Sequence, residues 1–461
     1  MHISTDQSRR AFLKRTAALG VAGTAAPFMT SLAAIGEAAA AVSTDYRALV
    51  CVFLYGGNDY ANTVTPYDQA SYNLYQAARS NLAIPRADLA ATVLNPTTAL
   101  PGGRQYALAP TLAPLMPVWN AGRMAVVLNV GTLVQPTTKA QYTANSVRLP
   151  PKLFSHNDQQ SYWQASNPEG ATSGWGGRLG DLLQSGNGTA TLTCINATGN
   201  AVFLTGRQAI QYSVGTTGPV ALINNATTLF GSQTGASTLR SLMQAAGSST
   251  FTAEHSTISR RAIDTFAQVN AAIANAPAAN FPLFQAGNLS DQMRMVARMI
   301  SVSQELGARR QIFLVSIGGF DLHDNLLAQQ PGLLTNVANA MRAFYDTTVQ
   351  MGVADRVTAF TASDFGRTLA SNDDGSDHGW GSMHFVVGGA VRGQQFYGTP
   401  PAIGNNTPDD VGQGRLLPGI SVDQYAATLA SWFGVSGGNM STVLPNIGNY
   451  NPSSWNVGFL G

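Results

Sequence analysis

Charge and cysteine are both scarce in this chain. Asp, Glu, Lys and Arg make up 11% of its 461 residues, against roughly 25% in ordinary soluble domains. Net charge is +2, and basic residues are nowhere interleaved with aromatic ones, which excludes the electrostatic footprint of a nucleic-acid-binding protein. Cys51 and Cys194 are the only cysteines, so neither a disulfide framework nor a cysteine-based metal site can be built. Both sit in apolar, strand-like runs, Leu49–Tyr55 and Ala190–Ile195. Two core strands offer poor geometry for a disulfide, and buried thiols are expected. Beyond residue 41 no run approaches the roughly 18 apolar residues of a membrane span, so no stable membrane anchor is expected.

What is present begins at the N-terminus. Ser8-Arg9-Arg10-Ala11-Phe12-Leu13-Lys14 reads as a twin-arginine export signal. A mildly apolar run, Thr16–Ile35, follows and leads to Glu37-Ala38-Ala39-Ala40-Ala41, small residues that suit a signal peptidase. Residues 1–41 are expected to be a signal peptide, with the mature chain starting between Ala40 and Ser43. The twin-arginine translocation machinery is then a partner, and the location is periplasmic or secreted. That route moves proteins already folded, often around a metal or cofactor. The remaining stretch, about 420 residues, suffices for one large domain or two ordinary ones.

Four apolar runs each end in a cluster of turn residues: Ala48–Tyr55, Met124–Val130, Gln311–Ile317 and Val357–Ala362. Continuous apolar strands bounded in this way indicate a parallel sheet covered on both faces. Between them, Leu333, Leu334, Val337, Met341, Phe344, Tyr345 and Val349 form one helix face. Ser421-Val422-Asp423-Gln424 reads as a capping box opening a helix that Gly434 closes. The fold class is therefore α/β, a doubly wound, mostly parallel sheet with helices on both faces. The mature chain (42–461) is expected to be one domain. Gly186–Thr250, rich in Gly, Thr, Ser and Asn, reads as strand-like pieces (Ala190–Ile195, Ala201–Thr205, Ala209–Val214). Residues 186–289 are thus expected to be a β-rich excursion or cap.

In such sheets functional groups gather beyond the carboxyl ends of the strands. Asn58 and Asp59 follow the first apolar run, Asp321 and His323 a later one, and Asp364 the next. His378 lies in Asp377-His378-Gly379-Trp380-Gly381, and His384 begins the following strand-like run. Carboxylates and imidazoles collected at strand ends suit Zn²⁺, Mn²⁺ or a similar divalent ion. Each also has an ordinary role: Asp59 can cap a turn, Asp364 a helix, and His384 can be a satisfied core histidine.

The same residues carry a resemblance. Phe53-Leu54-Tyr55-Gly56-Gly57-Asn58-Asp59, Gly318-Gly319-Phe320-Asp321-Leu322-His323 and Ser363-Asp364-Phe365-Gly366-Arg367-Thr368 are three of its motifs. Asp377–Gly381 with His384-Phe385 and Tyr425–Gly434 complete the set. In order, they resemble the exported bacterial family known as domain of unknown function 1501. That family is similar to the alkaline phosphatase and sulfatase superfamily, whose members are metal-dependent hydrolases of phosphate or sulfate esters. The resemblance implies an alkaline phosphatase-like fold and metal ligands at Asp59, Asp321, His323 and Asp364. The final ligand is His378 or His384, with His378 favoured. Phe365 stands where a second-metal His would be, so a second ion, Mg²⁺ or Ca²⁺ if any, is in question.

The superfamily nucleophile sits at a helix N-terminus, which matches Ser155, with His156 beside it; Ser155 can equally be a plain N-cap. Arg207 and Arg367 are the candidates to bind a substrate anion, and Asn58 and Asn62 to orient Asp59 or touch substrate. No Cys-x-Pro-x-Arg string is present, which argues against a formylglycine sulfatase. Two functions are carried forward. One is a metal-dependent hydrolase acting on a small-molecule or polymer ester through a metal-activated Ser or water. The other is a non-catalytic surface binding or assembly protein that retains the fold.

Overall fold

Uninterrupted apolar runs become the centre of the molecule. The computed structural model describes residues 46–222 and 228–461; the twin-arginine string and cleavage region lie outside them. In chain order, one large sheet takes β1 (Arg47–Leu54), β2 (Met124–Gly131), β3 (Cys194–Asn196), β4 (Tyr212–Gly215), β5 (Gly218–Pro219) and β6 (Arg310–Ile317). It continues with β7 (Val357–Ser363). A separate hairpin, β8 (Arg367–Ser371) and β9 (Ser376–His378), precedes β10 (Ser382–Gly388), β11 (Gln395–Tyr397) and β12 (Ile420–Ser421) of the large sheet. The strand order is β11-β2-β10-β7-β1-β6-β3-β4-β5, with β12 beside β2. β1 pairs in parallel with both β6 and β7, while β10 runs antiparallel between β7 and β2. The sheet is mostly parallel and the class is α/β, as the sequence pattern predicts.

Both faces are covered. Alternate residues of β1 feed two cores: Ala48, Val50 and Val52 join one, Leu49, Cys51 and Phe53 the other. The first core is closed by α5 (Asn288–Ser301) and α6 (Leu326–Gln350), which contribute Met293, Val296, Val337 and Met341. The second is closed by α2 (Trp175–Leu183) and α7 (Val422–Phe433), through Leu179, Tyr425 and Leu429. The predicted capping box at Ser421 and Gln424 is formed, and Gly434, at φ +121°, ends the helix. Ahead of α2, α1 (His156–Ala165) lies beyond the end of β2.

Cys51 and Cys194 are buried free thiols. Cys51 pairs with Leu314 and Cys194 with Ile312, so β6 lies between them. Two interstrand spacings amount to about 10 Å, too far for a disulfide.

The excursion corrects the expectation of a β-rich unit. Among the described residues its strands are β3, β4 and β5, which extend the main sheet, and Ala190–Leu192 and Val202–Leu204 are 3₁₀ turns. The second half is helical: α3 (Gln233–Gln244) and α4 (Thr250–Ala274). Two serines of this polar stretch serve as helix caps. Ser232 accepts from Gly235 N, and Ser249 forms a capping box with Thr252. None of the described helices is long and apolar enough to cross a membrane.

Candidate metal centre

The carboxyl ends of β1, β6 and β7 meet at one edge, and glycine lets them approach. Gly56, just past β1, has φ +112°, and a Cβ there would lie 2.3 Å from the backbone nitrogen of Asp321. Only glycine fits that contact, and it sets Asp321 against the end of β1. Gly375, in the β8–β9 turn, does the same for the next residues: its Cβ would fall 2.2 Å from the carbonyl carbon of His323. The hairpin thus carries Asp377 and His378 to the loop that bears Asp321 and His323. The N-terminus of α1 supplies His156.

These groups converge. His378 Nε2 lies 3.0 Å from His156 Nε2, 2.9 Å from His323 Nε2 and 3.2 Å from Asp321 Oδ1. Asp321 also lies 3.1 Å from His323 Nε2 and 3.3 Å from His156 Nε2. The outer nitrogens have partners that can only accept. His156 Nδ1 is 2.6 Å from Asp364 Oδ2, His378 Nδ1 is 2.7 Å from the Phe154 carbonyl, and His323 Nδ1 is 3.2 Å from Asp377 Oδ1. Acceptor-only partners require a proton on each Nδ1, which leaves each Nε2 of a neutral ring with a lone pair. Of these, His156 Nε2, His378 Nε2 and an Asp321 oxygen all lie within 4.8 Å of one another, an arrangement a cation satisfies, and His323 stands beside His378 and Asp321. Ligands about 2.0–2.1 Å from an ion stand about 3.3 Å apart at tetrahedral angles, close to the distances here. Two imidazoles and one carboxylate suit Zn²⁺ or another first-row divalent ion better than Mg²⁺ or Ca²⁺.

The surroundings hold the cluster in place. Arg367, fully buried, donates to Asp321 Oδ1 at 2.8 Å and to the Gly56 carbonyl at 3.0 Å. Burial raises the Asp321 carboxyl, but the hydrogen bond and charge of Arg367 outweigh it and the net shift is downward. The bond to Asp364 raises His156, whereas burial lowers His378. Arg415 donates to the His378 carbonyl at 2.7 Å and lies over the Phe154 ring. Phe154 itself has φ +73°, a costly conformation for an aromatic residue. Asp321 and His323 are each 45% exposed and face solvent, while His156 and His378 lie deeper.

Several expected residues lie elsewhere. Asp59 is buried with Arg79, whose Nη2 is 2.7 Å from its Oδ2. Ser376 Oγ donates to the same oxygen and Asn62 N to the other, so Asp59 is a cap and ion-pair partner with no oxygen to spare. His384 sits within the core against Trp163 and Tyr425, with burial pushing its pKa down to about 3. Asp364 touches His156 rather than the converging nitrogens. Phe365, in place of the second-metal His, packs its ring on His156 and His378 at 4.8 and 4.7 Å. One cluster of three or more potential ligands occurs among the described residues, and no second set forms around Asp59 or Asp364.

The residues expected to meet substrate have other partners. Asn58 accepts from Thr63, and Asn62 binds Leu82 and Tyr75. Arg207 contributes its backbone N–H to Asp181, and Arg367 is spent on Asp321 and carbonyls. Ser155 stands at the N-cap of α1 and gives its hydroxyl to Asp158 at 2.9 Å, so it has a local partner rather than a place among the imidazoles. Sequence reasoning missed Asp377, Gln160 and Arg415. The first was visible as the neighbour of His378 and the second as one helical turn beyond His156. Nothing in the sequence singles out Arg415.

The profile of the family described as "Protein of unknown function (DUF1501)" matches residues 46–443. No curated protein is detectably similar to the chain. Among solved structures, the lipoteichoic acid synthase LtaP from Listeria monocytogenes is similar at 10% identity and TM-score 0.36, over 90% of this chain and 81% of that one. The soluble domain of lipooligosaccharide phosphoethanolamine transferase A from Neisseria meningitidis is similar at 10% identity and TM-score 0.31, over 91% and 95%. The C-terminal periplasmic domain of EcEptC from Escherichia coli is similar at 11% identity and TM-score 0.29, over 88% of each chain. Likenesses of this degree leave the chemistry to the residues themselves.

Proposed function

The chain belongs to the DUF1501 family, and from that premise we propose that it is an exported, metal-dependent hydrolase of phosphate or sulfate esters. The observation that carries the metal reading is the convergence of His156 Nε2, His378 Nε2 and the Asp321 carboxylate, all within 4.8 Å of one another. The ester class rests on the resemblance of this family to the alkaline phosphatase and sulfatase superfamily. A divalent ion held by His156, His378 and Asp321 would supply Lewis-acid polarisation of an ester oxygen and a nucleophilic water at neutral pH. The chain's own groups hold and orient. Arg367 fixes Asp321, Phe365 walls the inner imidazoles, and the exposed side of Asp321 and His323 is where substrate enters. Because Ser155 donates to Asp158, water is the nucleophile in this reading.

The test is direct. The mature protein, purified and replete with Zn²⁺ or Mn²⁺, should retain one equivalent and hydrolyse a member of a panel of phosphate mono- and diesters and sulfate esters. Protein that retains no stoichiometric metal overturns the reading. Export belongs to the same proposal. Replacing Arg9 and Arg10 by Lys should leave uncleaved, folded precursor in the cytoplasm, and normal export through the general secretion route would refute it.

A second reading, a binding protein without turnover, is favoured by one feature. Leu222, Phe230, Leu242, Phe251 and Ile258 are all more than half exposed on and beside α3 and α4. Metal-dependent turnover abolished by Asp321→Ala would eliminate it.

A further inference from the structure

We infer that Asp364 is a positioning residue rather than a metal ligand: it acts on the cation through His156. The inference rests on the metal centre proposed above. Its basis is how the Asp364 carboxylate is used. The side chain is fully buried, and one oxygen, Oδ2, takes three donors. These are His156 Nδ1 at 2.6 Å, Gln160 Nε2 at 2.8 Å and the backbone N–H of Gly56 at 3.2 Å. Gly56 and Gln160 hold Oδ2 in place, and Oδ2 in turn holds the His156 ring. The remaining oxygen, Oδ1, has no partner among the described residues.

Consider what the His156 ring would do without this contact. An imidazole can flip about its χ2 bond or move its proton to Nε2, and either change removes the lone pair from the cluster. A buried anion at Nδ1 blocks both, because only an N–H there satisfies it, and it makes the opposite nitrogen more basic. His323 has a weaker counterpart. Asp377 is 37% exposed, stands 3.2 Å away and is shared with Asn372. His378 has a neutral acceptor, the carbonyl of Phe154. The three rings are therefore held by acceptors of unequal strength, and Asp364 is the strongest. Gly56, which the first motif supplies, and Gln160, one turn into α1, are part of the same device, which ties β1, β7 and α1 to one oxygen.

The experiment uses the whole mature protein. Asp364→Asn should still bind one equivalent of Co²⁺ or Zn²⁺ with an unchanged Co²⁺ absorption spectrum, but about 10- to 100-fold more weakly. Asp377→Asn should weaken binding less. In apo wild type, ¹⁵N-histidine NMR should show His156 as the Nδ1–H tautomer with a strongly downfield, hydrogen-bonded proton. That proton should be lost or shifted in Asp364→Asn and kept in Asp377→Asn. Loss of a ligand from the Co²⁺ spectrum of Asp364→Asn would make Asp364 a direct ligand and overturn the inference. So would an unchanged affinity, or an Nε2–H tautomer for His156 in apo wild type. If Asp364→Asn does not fold, the wild-type NMR result alone decides. If wild type takes up no metal, the centre proposed above fails, while the apo NMR still reports whether Asp364 orients His156.

Discussion

Two clusters at the same edge of the sheet start from nearly the same local sequence and end differently. Gly56-Gly57-Asn58-Asp59 follows β1, and Gly318-Gly319-Phe320-Asp321 follows β6. Asp59 turns inward and meets Arg79, Ser376 Oγ and the Asn62 N–H. Every charge there is cancelled inside the protein. Asp321 turns outward, half exposed, and lies against the imidazoles of His156, His323 and His378. Its one cation, Arg367, reaches it from behind. The clusters even share a connection, since Arg367 also donates to the Ser376 carbonyl. What differs is the company. A strand-end Asp next to an arginine with nowhere else to go is a structural group, whereas one among unprotonated nitrogens is half of a cation site.

The largest expected effect breaks the first cluster. Asp59→Ala leaves the Arg79 guanidinium buried without its counter-charge, and losing one partner of such a pair costs about 3–5 kcal/mol. Urea denaturation of the apo protein should show it, while the folded fraction still binds one metal. An Asp59→Ala protein of wild-type stability that cannot bind metal would reverse the two assignments.

Next comes the second cluster. His323 is half exposed and outside the core, so His323→Ala should change apo stability by less than about 1 kcal/mol. Metal affinity should fall by about 10- to 100-fold, as for a group that stands against the ligands His378 and Asp321 rather than among them. Calorimetric titration with Zn²⁺ and a parallel urea melt separate the two quantities. A large stability loss with unchanged affinity would make His323 structural, like Asp59.

A smaller and pH-dependent effect concerns a buried histidine outside both clusters. Burial pushes His384 down to about 3, so between pH 6.5 and about 3 the unfolded chain binds a proton that the folded one refuses. Stability contributed by the neutral ring is present above pH 6.5 and is lost as pH falls, with a slope approaching about 1.4 kcal/mol per pH unit. His384→Phe should flatten that part of the stability profile and leave metal binding unchanged at neutral pH. If the slope persists, another group is responsible.

The mildest effect has the opposite sign. Asp423 is buried at the start of α7, and burial outweighs its bonds to Asn446 and Ser166 and raises it to about 7. The folded state therefore holds a proton that the unfolded chain releases above about pH 4, and stability falls as pH rises from about 4 to 7. Asp423→Asn should raise the denaturation midpoint at pH 8 and have little effect at pH 4. Equal effects at both would remove the titration from the account.

Much of the fold can be read in the chain. Continuous apolar runs predict β1, β2, β6 and β7, because strands buried on both faces need apolar side chains at every position. Spacing predicts the long helix α6, and local chemistry predicts the capping box of α7. The helical half of the excursion is misread because Ser and Thr serve both turns and helix caps, and only the residues that follow tell the two apart.

For the site, the residues alone establish that Asp321, His323 and His378 belong to strand ends, and that glycines precede them. They establish two buried thiols as well, since both cysteines lie in strand-forming apolar runs. Tertiary structure decided everything that depends on direction. It turned Asp59 to Arg79, sent His384 into the core, gave the Ser155 hydroxyl to Asp158 and brought His156, from a distant helix, to the centre. The reason is physical. Which side of a strand end a carboxylate faces, and which nitrogen of an imidazole keeps its lone pair, depend on partners some 200 to 300 residues away, and no local pattern records them.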